Sequence, residues 1–282
     1  MEALDVKLRG YQPSASRSHP GGNTRKPGAL DTAGTNETPE DTSVKTWIEA
    51  LNADLAQLAI LARRSRRLHS LCVRAWTLET PETLDSRDVY LSLPTMRGLL
   101  SMENLSVLKL DLTVVTANPP GEQEIDCHIC PAIGALLSSL RALHLRLYSI
   151  CPDVLKPKDT GEELNLGEAV INLSLMTDSP EITSASHSKR CGNQAGGLLQ
   201  LKADMQEHAE ALATRMASPT TLRVLTHSPP NFEVHSLDVL TGKDMILDND
   251  MAWNEDGRTV REESGSESEL SDEEFEAYLD DD

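Results

Sequence analysis

Leu105-Ser106-Val107-Leu108-Lys109-Leu110-Asp111-Leu112 is answered, 35 positions on, by Leu140-Arg141-Ala142-Leu143-His144-Leu145-Arg146-Leu147. Each octet has leucine at its first, fourth, sixth and eighth places. The last three leucines alternate with Lys109 and Asp111 in one copy and with His144 and Arg146 in the other. That is the period of a strand with one apolar and one polar face. Two copies in one register predict a repeated strand and a stacked scaffold. A weaker copy precedes them, Leu68-x-x-Leu71-x-Val73. A fourth follows as Glu168-x-x-Ile171-x-Leu173-x-Leu175, without its leading leucine, and Leu222-x-x-Leu225 is a fragment of a fifth. Setting Leu71, Leu108, Leu143, Ile171 and Leu225 as equivalent gives steps of 37, 35, 28 and 54 residues, too uneven for a regular solenoid.

Between the copies lie segments with helix signals. Thr38-Pro39-Glu40-Asp41 combines a hydroxyl N-cap, proline at the first helical place and acids in the first turn. Trp47, Leu51, Leu55, Leu58 and Ala62 then make one apolar stripe, and Arg63-Arg64-Ser65-Arg66-Arg67 puts cations at the negative end of the helix dipole. The same arginines resemble a nuclear-import signal or an anion patch. Pro94–Met102 and Pro131–Ser138 are short helix candidates. Leu198–Ala217 is the best helix, with Leu198, Leu201, Met205, Ala209, Leu212 and Met216 in the 3.6 period before Ser218-Pro219. Residues 176–197, with Pro180 and three glycines, read as a long exposed loop. Residues 230–261 read as one or two hairpins, on the turn signals Leu240-Thr241-Gly242-Lys243 and Asp256-Gly257. The predicted class is α/β: a short, irregular leucine-rich-repeat-like scaffold of parallel strands, helices packed on one side, C-terminal hairpins and disordered termini.

Composition sets the limits of the folded part. Residues 1–38 are rich in Ser, Pro, Gly, Thr and Asn, and residues 262–282 hold eleven acidic groups with no Lys or Arg. Neither end is expected to offset its ordering entropy by burial, which leaves 39–261 as the predicted domain. The formal charge of −19 is therefore mostly a property of the tail, and it disfavours sequence-independent nucleic-acid binding. Nine aromatic residues make an aliphatic core and argue against an aromatic-walled cofactor pocket. No apolar run approaches the length of a membrane span, and no signal peptide is evident. An odd five cysteines fit a reducing compartment, cytoplasmic or nuclear.

The catalytic signatures are missing: no Gly-x-Ser-x-Gly with a strand-turn-helix context, no Gly-x-x-x-x-Gly-Lys and no Gly-x-Gly-x-x-Gly. Asp248, Asp250, Glu255 and Asp256 fail the calcium-loop spacing. Cys127-His128-Ile129-Cys130 looks like half of a zinc site, but no second Cys-x-x-Cys exists. Cys151 and Cys191 complete a set with Cys127 and Cys130 only if the fold gathers them. Otherwise they pack as small apolar residues. The expectation is accordingly no enzyme, no cofactor and no metal, with a zinc-stabilised protein as an alternative. If the leucines are inside, Lys109, Asp111, Arg141, His144 and Arg146 form an outward row suited to a protein partner, with no nucleic acid and no membrane involved. Ser264, Ser266 and Ser271 in the tail each have an acid three residues later, the pattern of acid-directed phosphorylation.

Several strings resemble, together, a large group of uncharacterised proteins of filamentous fungi: His128-Ile129-Cys130-Pro131-Ala132-Ile133, Ser149-Ile150-Cys151-Pro152-Asp153-Val154-Leu155, Ile171-Asn172-Leu173-Ser174-Leu175, Leu199-Gln200-Leu201-Lys202-Ala203-Asp204-Met205 and Leu237-Asp238-Val239-Leu240-Thr241-Gly242-Lys243. Many of that group begin with an F-box and continue into leucine-rich-repeat-like sequence. The resemblance covers about 65–261 and implies an α/β repeat-like scaffold without an assigned activity. Residues 39–65 offer one helix and no Leu-Pro opening, so an F-box is not recognisable here. Substrate recognition in ubiquitin transfer, through a degenerate or missing F-box, is the alternative that the resemblance adds.

Overall fold

The computed structural model describes residues 2–10, 39–76, 90–114, 116–117, 128–159, 161–175, 187–192, 197–228, 233–248 and 251–260. Its frame is a nine-stranded sheet. Five strands are parallel neighbours of one another: β1 (Glu2–Arg9), β2 (Leu68–Trp76), β4 (Val107–Leu112), β6 (Ala142–Leu147) and β8 (Glu168–Asn172). A sixth, β10 (Thr221–Ser228), joins β8 in parallel. The sheet then turns antiparallel through β11 (Glu233–Asp238), β12 (Lys243–Leu247) and β13 (Arg258–Thr259). Two small ladders flank it: β3 (Leu91–Ser92) with β5 (Thr116–Ala117), and β7 (Ser149–Ile150) with β9 (Lys189–Arg190). The helices are α1 (Pro39–Arg64), α2 (Leu93–Leu100), α3 (Cys130–Gly134) and α4 (Leu198–Ala213), with a 3-10 turn at Pro152–Leu155.

The two octets lie side by side in the register their leucines demand. Leu108 pairs with Leu143, Leu110 with Leu145 and Leu112 with Leu147. Leu71 and Val73 of β2 continue the first two of these three rows. All eight side chains are essentially inaccessible and share one core with Leu55 and Ala59 of α1, Met96 and Leu99 of α2, Ile133 of α3, and Leu201, Met205, Ala209 and Leu212 of α4. Each such leucine contributes on the order of 2 kcal/mol of burial. Helices on one face and alternate leucines beneath them explain why crossover segments separate the parallel strands.

The outer copies depart from the expected alignment. Ile171 pairs with Leu145, not Leu143, and Ala169 takes the place opposite Leu143. That slip of two keeps Ile171 on the inner face. Leu222 pairs with Ala169, so Leu225 falls an odd number of places away and lands on the outer face. It is buried there because a second cluster covers it: Val170, Leu225 and Leu247, packed with Val234, Met251 and Trp253. The C-terminal segment thus does more than close the sheet edge. Residues after β12 return over the outer face, where the buried Arg223 guanidinium donates to the Glu255 carbonyl and the Asp256 carboxylate.

Two other expectations change. Residues 2–9, assigned to a disordered N-terminal segment, form the edge strand β1, whose Leu4, Val6 and Leu8 point inward opposite Leu71, Val73 and Ala75. The alternation is legible in Glu2–Arg9, but the Ser/Pro/Gly-rich stretch after it dominated the composition. Residues 187–191 fall inside the predicted exposed loop, yet His187, Ser188 and Cys191 are buried. The remaining N-terminal residues, most of that loop, and the tail with Ser264, Ser266 and Ser271 lie outside the described residues. The hairpin turn is as expected, with Gly242 at φ 69°, where a side chain would be strained.

Candidate metal centre and the outer sheet face

Four soft or borderline donors meet at the carboxyl ends of β4 and β6. The ligand atoms of His128, Cys130, Cys151 and Cys191 all lie within 4.8 Å of one another. Local structure explains the meeting. β7 and β9 pair as Ser149↔Lys189 and Ile150↔Arg190, so the next residues in register are Cys151 and Cys191. The Cys191 amide donates to the Ile150 carbonyl at 3.2 Å and extends that ladder. Cys130 opens α3, with His128 two residues before it. α3 then packs on the 3-10 turn that follows Cys151. Gly134 makes this approach feasible, because a Cβ there would sit well inside contact distance of the Asp153 and Lys156 carbonyl oxygens.

Cys130 Sγ lies 3.7 Å from Cys191 Sγ, and Cys151 Sγ lies 3.8 Å from His128 Nδ1. The three thiols are buried and not joined in disulfides, whereas His128 is half-exposed. Crowding splits their proton affinities. Hydrogen bonds from Cys130 and Cys191 hold the Cys151 thiol far below its usual range, against its burial. The Cys130 thiol is pushed far above, first by its bond to Cys151, then by Cys191 and desolvation. A cleft of about 240 Å³ opens onto this corner, lined among others by His128, Tyr148, Arg190, Cys191 and Gly192. Three sulfurs and one imidazole are a donor set for a borderline-soft divalent ion, not for calcium or magnesium. Of the alternative set Cys127, Cys130, Cys151 and Cys191, the fold brings the last three together. His128 stands in the group, and Cys127 lies outside the described residues. The missing signal was the register of two two-residue strands, which no spacing in the sequence carries.

The outer sheet face carries the predicted polar row, but not as one open strip. Asp5, Cys72, Lys109, His144, Val170 and Arg223 occupy one register row, and Lys7, Arg74, Asp111, Arg146, Asn172 and Leu225 the next. Lys109 is exposed as expected. His144 is buried, and its Nε2–H donates to Glu168 at 2.5 Å. Burial lowers the pKa of His144, with Lys109 adding to that and Glu168 opposing it. Arg146 donates through Nε and Nη2 to both Asp111 oxygens at 2.6 and 2.8 Å, while its guanidinium lies 5.0 Å from the Trp253 ring. Arg141 is exposed but precedes β6, and so stands outside the row. The returning segment covers the β6–β10 half, and the β1–β2–β4 half stays open, with Lys7, Arg74 and Lys109 exposed.

A third polar cluster is sequestered. The rings of His187 and His227 stack at 3.6 Å, and His227 Nδ1 lies 2.9 Å from the Ser174 hydroxyl. Burial lowers His187 to about 4 and His227 to about 3. No described helix is long and apolar enough to cross a membrane. Searches of family models, curated proteins and solved structures return no match to this chain.

Proposed function

We propose that the chain is a non-enzymatic, leucine-rich-repeat-like scaffold that offers the open half of its outer sheet face to a protein partner. What carries the reading is the asymmetry of that face. Helices bury one side of the sheet, and residues 251–256 cover part of the other. The remaining strands present Lys7, Arg74 and Lys109 around Asp5 and Asp111 on rigid, directly paired backbone. Parallel strands with polar outer positions are the binding face of repeat scaffolds. Three cations against two acids favour a partner segment with acidic side chains, through steering and charge complementarity.

The test is quantitative affinity purification of the full chain against the double variant R74E/K109E. Both side chains point to solvent, so folding is expected to survive, and circular dichroism checks it. The expected result is a loss of at least about tenfold in the main co-purifying protein, the size of about 1.4 kcal/mol. Equal recovery by a folded double variant removes this face as the binding surface.

A further inference from the structure

We propose that His128, Cys130, Cys151 and Cys191 bind one zinc ion in a closed, four-ligand structural site that fastens α3 and the 3-10 turn to the β7–β9 ladder. Zinc takes Cys sulfur at about 2.3 Å and His nitrogen at about 2.0–2.1 Å in tetrahedral geometry. Those bond lengths place two sulfurs about 3.8 Å apart and a sulfur and nitrogen about 3.6 Å apart. The Cys130–Cys191 separation is 3.7 Å and the Cys151–His128 separation is 3.8 Å. Buried thiols packed only as small apolar groups have no reason to converge at that spacing with an imidazole nitrogen among them.

The surroundings supply what a metal site requires beyond its ligands. The backbone amide of Asp153 donates toward the Cys151 sulfur, the kind of contact that steadies a metal-bound thiolate. The carboxylate of the same Asp153 lies 3.6 Å from that sulfur, a like-charge contact that opposes the thiolate and that Lys156 offsets at 2.8 Å from Asp153. The cleft beside His128 gives an entry path. With four protein ligands no coordination position is left for water or substrate, so the metal holds structure and performs no chemistry. On binding, every thiol that still carries its proton releases it and the imidazole binds through the unprotonated Nδ1. No oxidant or reductant is needed. The same cysteines also have a competing fate, because Cys130 and Cys191 are close enough for a small shift to allow a disulfide in an oxidant.

The experiment uses the full-length chain, purified under reducing conditions. Elemental analysis is expected to give about one zinc per chain. Replacement by Co²⁺ is expected to give the visible bands of tetrahedral cobalt and a thiolate-to-cobalt charge-transfer band. Less than about a tenth of a zinc per chain, or a cobalt spectrum without the tetrahedral and thiolate features, overturns the proposal. So does a protein two hydrogens lighter, with Cys130 linked to Cys191, after purification in reductant. These readouts come from the unaltered protein and do not depend on any variant folding. Variants then fix the ligand set. H128C is expected to keep one metal with a stronger charge-transfer band, C127S to keep one zinc, and C151S to lose tetrahedral cobalt. Loss of zinc from C127S together with its retention in H128A overturns the assignment of His128.

Discussion

Leu108, Leu110, Leu143 and Leu145 stand two apart on strands that pair directly, whereas His128, Cys130, Cys151 and Cys191 reach one another from three segments across a span of 63 positions. The leucines and the three cysteines belong to the same contiguous core, with His128 half-exposed at its edge. The leucine rows are redundant, because each inner side chain touches equivalents from neighbouring strands. The sulfur corner has no such redundancy: it depends on one two-residue ladder and one glycine. The difference teaches where this chain is robust and where it hangs on a single contact. The largest effect is therefore expected from a truncation that opens the leucine rows. Leu145→Ala leaves a cavity between Leu110, Ile171 and the helices, and it is expected to cost about 2–5 kcal/mol. Denaturant unfolding reads this directly. A cost below about 1 kcal/mol would mean that the rows collapse around the gap and that the interior is no tighter than the corner.

The next effect separates both regions from the stacked histidines. His187 and His227 are neutral in the folded chain, with their pKa values lowered by burial to about 4 and about 3. The unfolded chain takes up protons near pH 6.5, before the folded chain does. The contribution of each ring is thus fully present above that value and is lost as pH falls toward its folded pKa. The expected slope is on the order of 1.4 kcal/mol per pH unit for each ring between about 6.5 and 4. Buried His144, also lowered, adds in the same direction. Stability measured from pH 7 to 4 should fall in this window and fall less in the variant H187Q/H227Q. Identical curves for the two proteins would place the acid sensitivity elsewhere, the sulfur corner included.

Gly134 tests the corner by itself. A methyl group at this position meets the Asp153 and Lys156 carbonyl oxygens, so Gly134→Ala must push α3 from the 3-10 turn. The expected cost is about 1–3 kcal/mol, the range for overpacking. Its signature is local: hydrogen exchange should rise in residues 128–135 and 151–156, while β2, β4 and β6 stay protected. Uniform loss of protection would mean that corner and interior unfold as one unit.

The contrast also explains what the sequence made legible. A strand repeat is written locally, so the octets disclosed the inner face and the parallel order, while α1 and α4 were legible from their own apolar stripes. Copies four and five were misaligned for a physical reason. The motif counts leucines, while the sheet asks only which residues face inward, and Ala169 and Leu222 take the inner places where the motif put Ile171 and Leu225. Leu225 tolerates its outward place because Trp253 and Leu247 bring an apolar lid to it. The sulfur corner was partly legible, since Cys130, Cys151 and Cys191 stood in the alternative set while His128 did not. Their gathering was not legible, because Cys151 and Cys191 are joined only by a ladder between residues 40 positions apart. Lys109, Asp111, His144 and Arg146 of the expected polar row do share the outer face, in two register rows and without Arg141, yet their exposure depends on a segment more than a hundred residues downstream.

That dependence gives the smallest of these predictions. Arg146 bridges the two regimes of the outer face, since it grips Asp111 from the open half and lies over Trp253 in the covered half. Both members of the ion pair are partly accessible, at 17% and 26%, so solvent screens the pair. Removing the carboxylate with Asp111→Ala is expected to cost only about 0.5–1 kcal/mol, and less at high salt. Arg146→Leu tests the other contact. It sacrifices the ion pair but keeps an apolar surface under Trp253, so its cost should match that of Asp111→Ala within a few tenths of a kcal/mol. A substantially larger loss would show that the guanidinium–indole contact, and not the ion pair, holds residues 251–256 against the sheet. The boundary of the open binding face would then be set by Arg146 itself, because releasing that segment exposes Val170 and Leu225 beside Lys109.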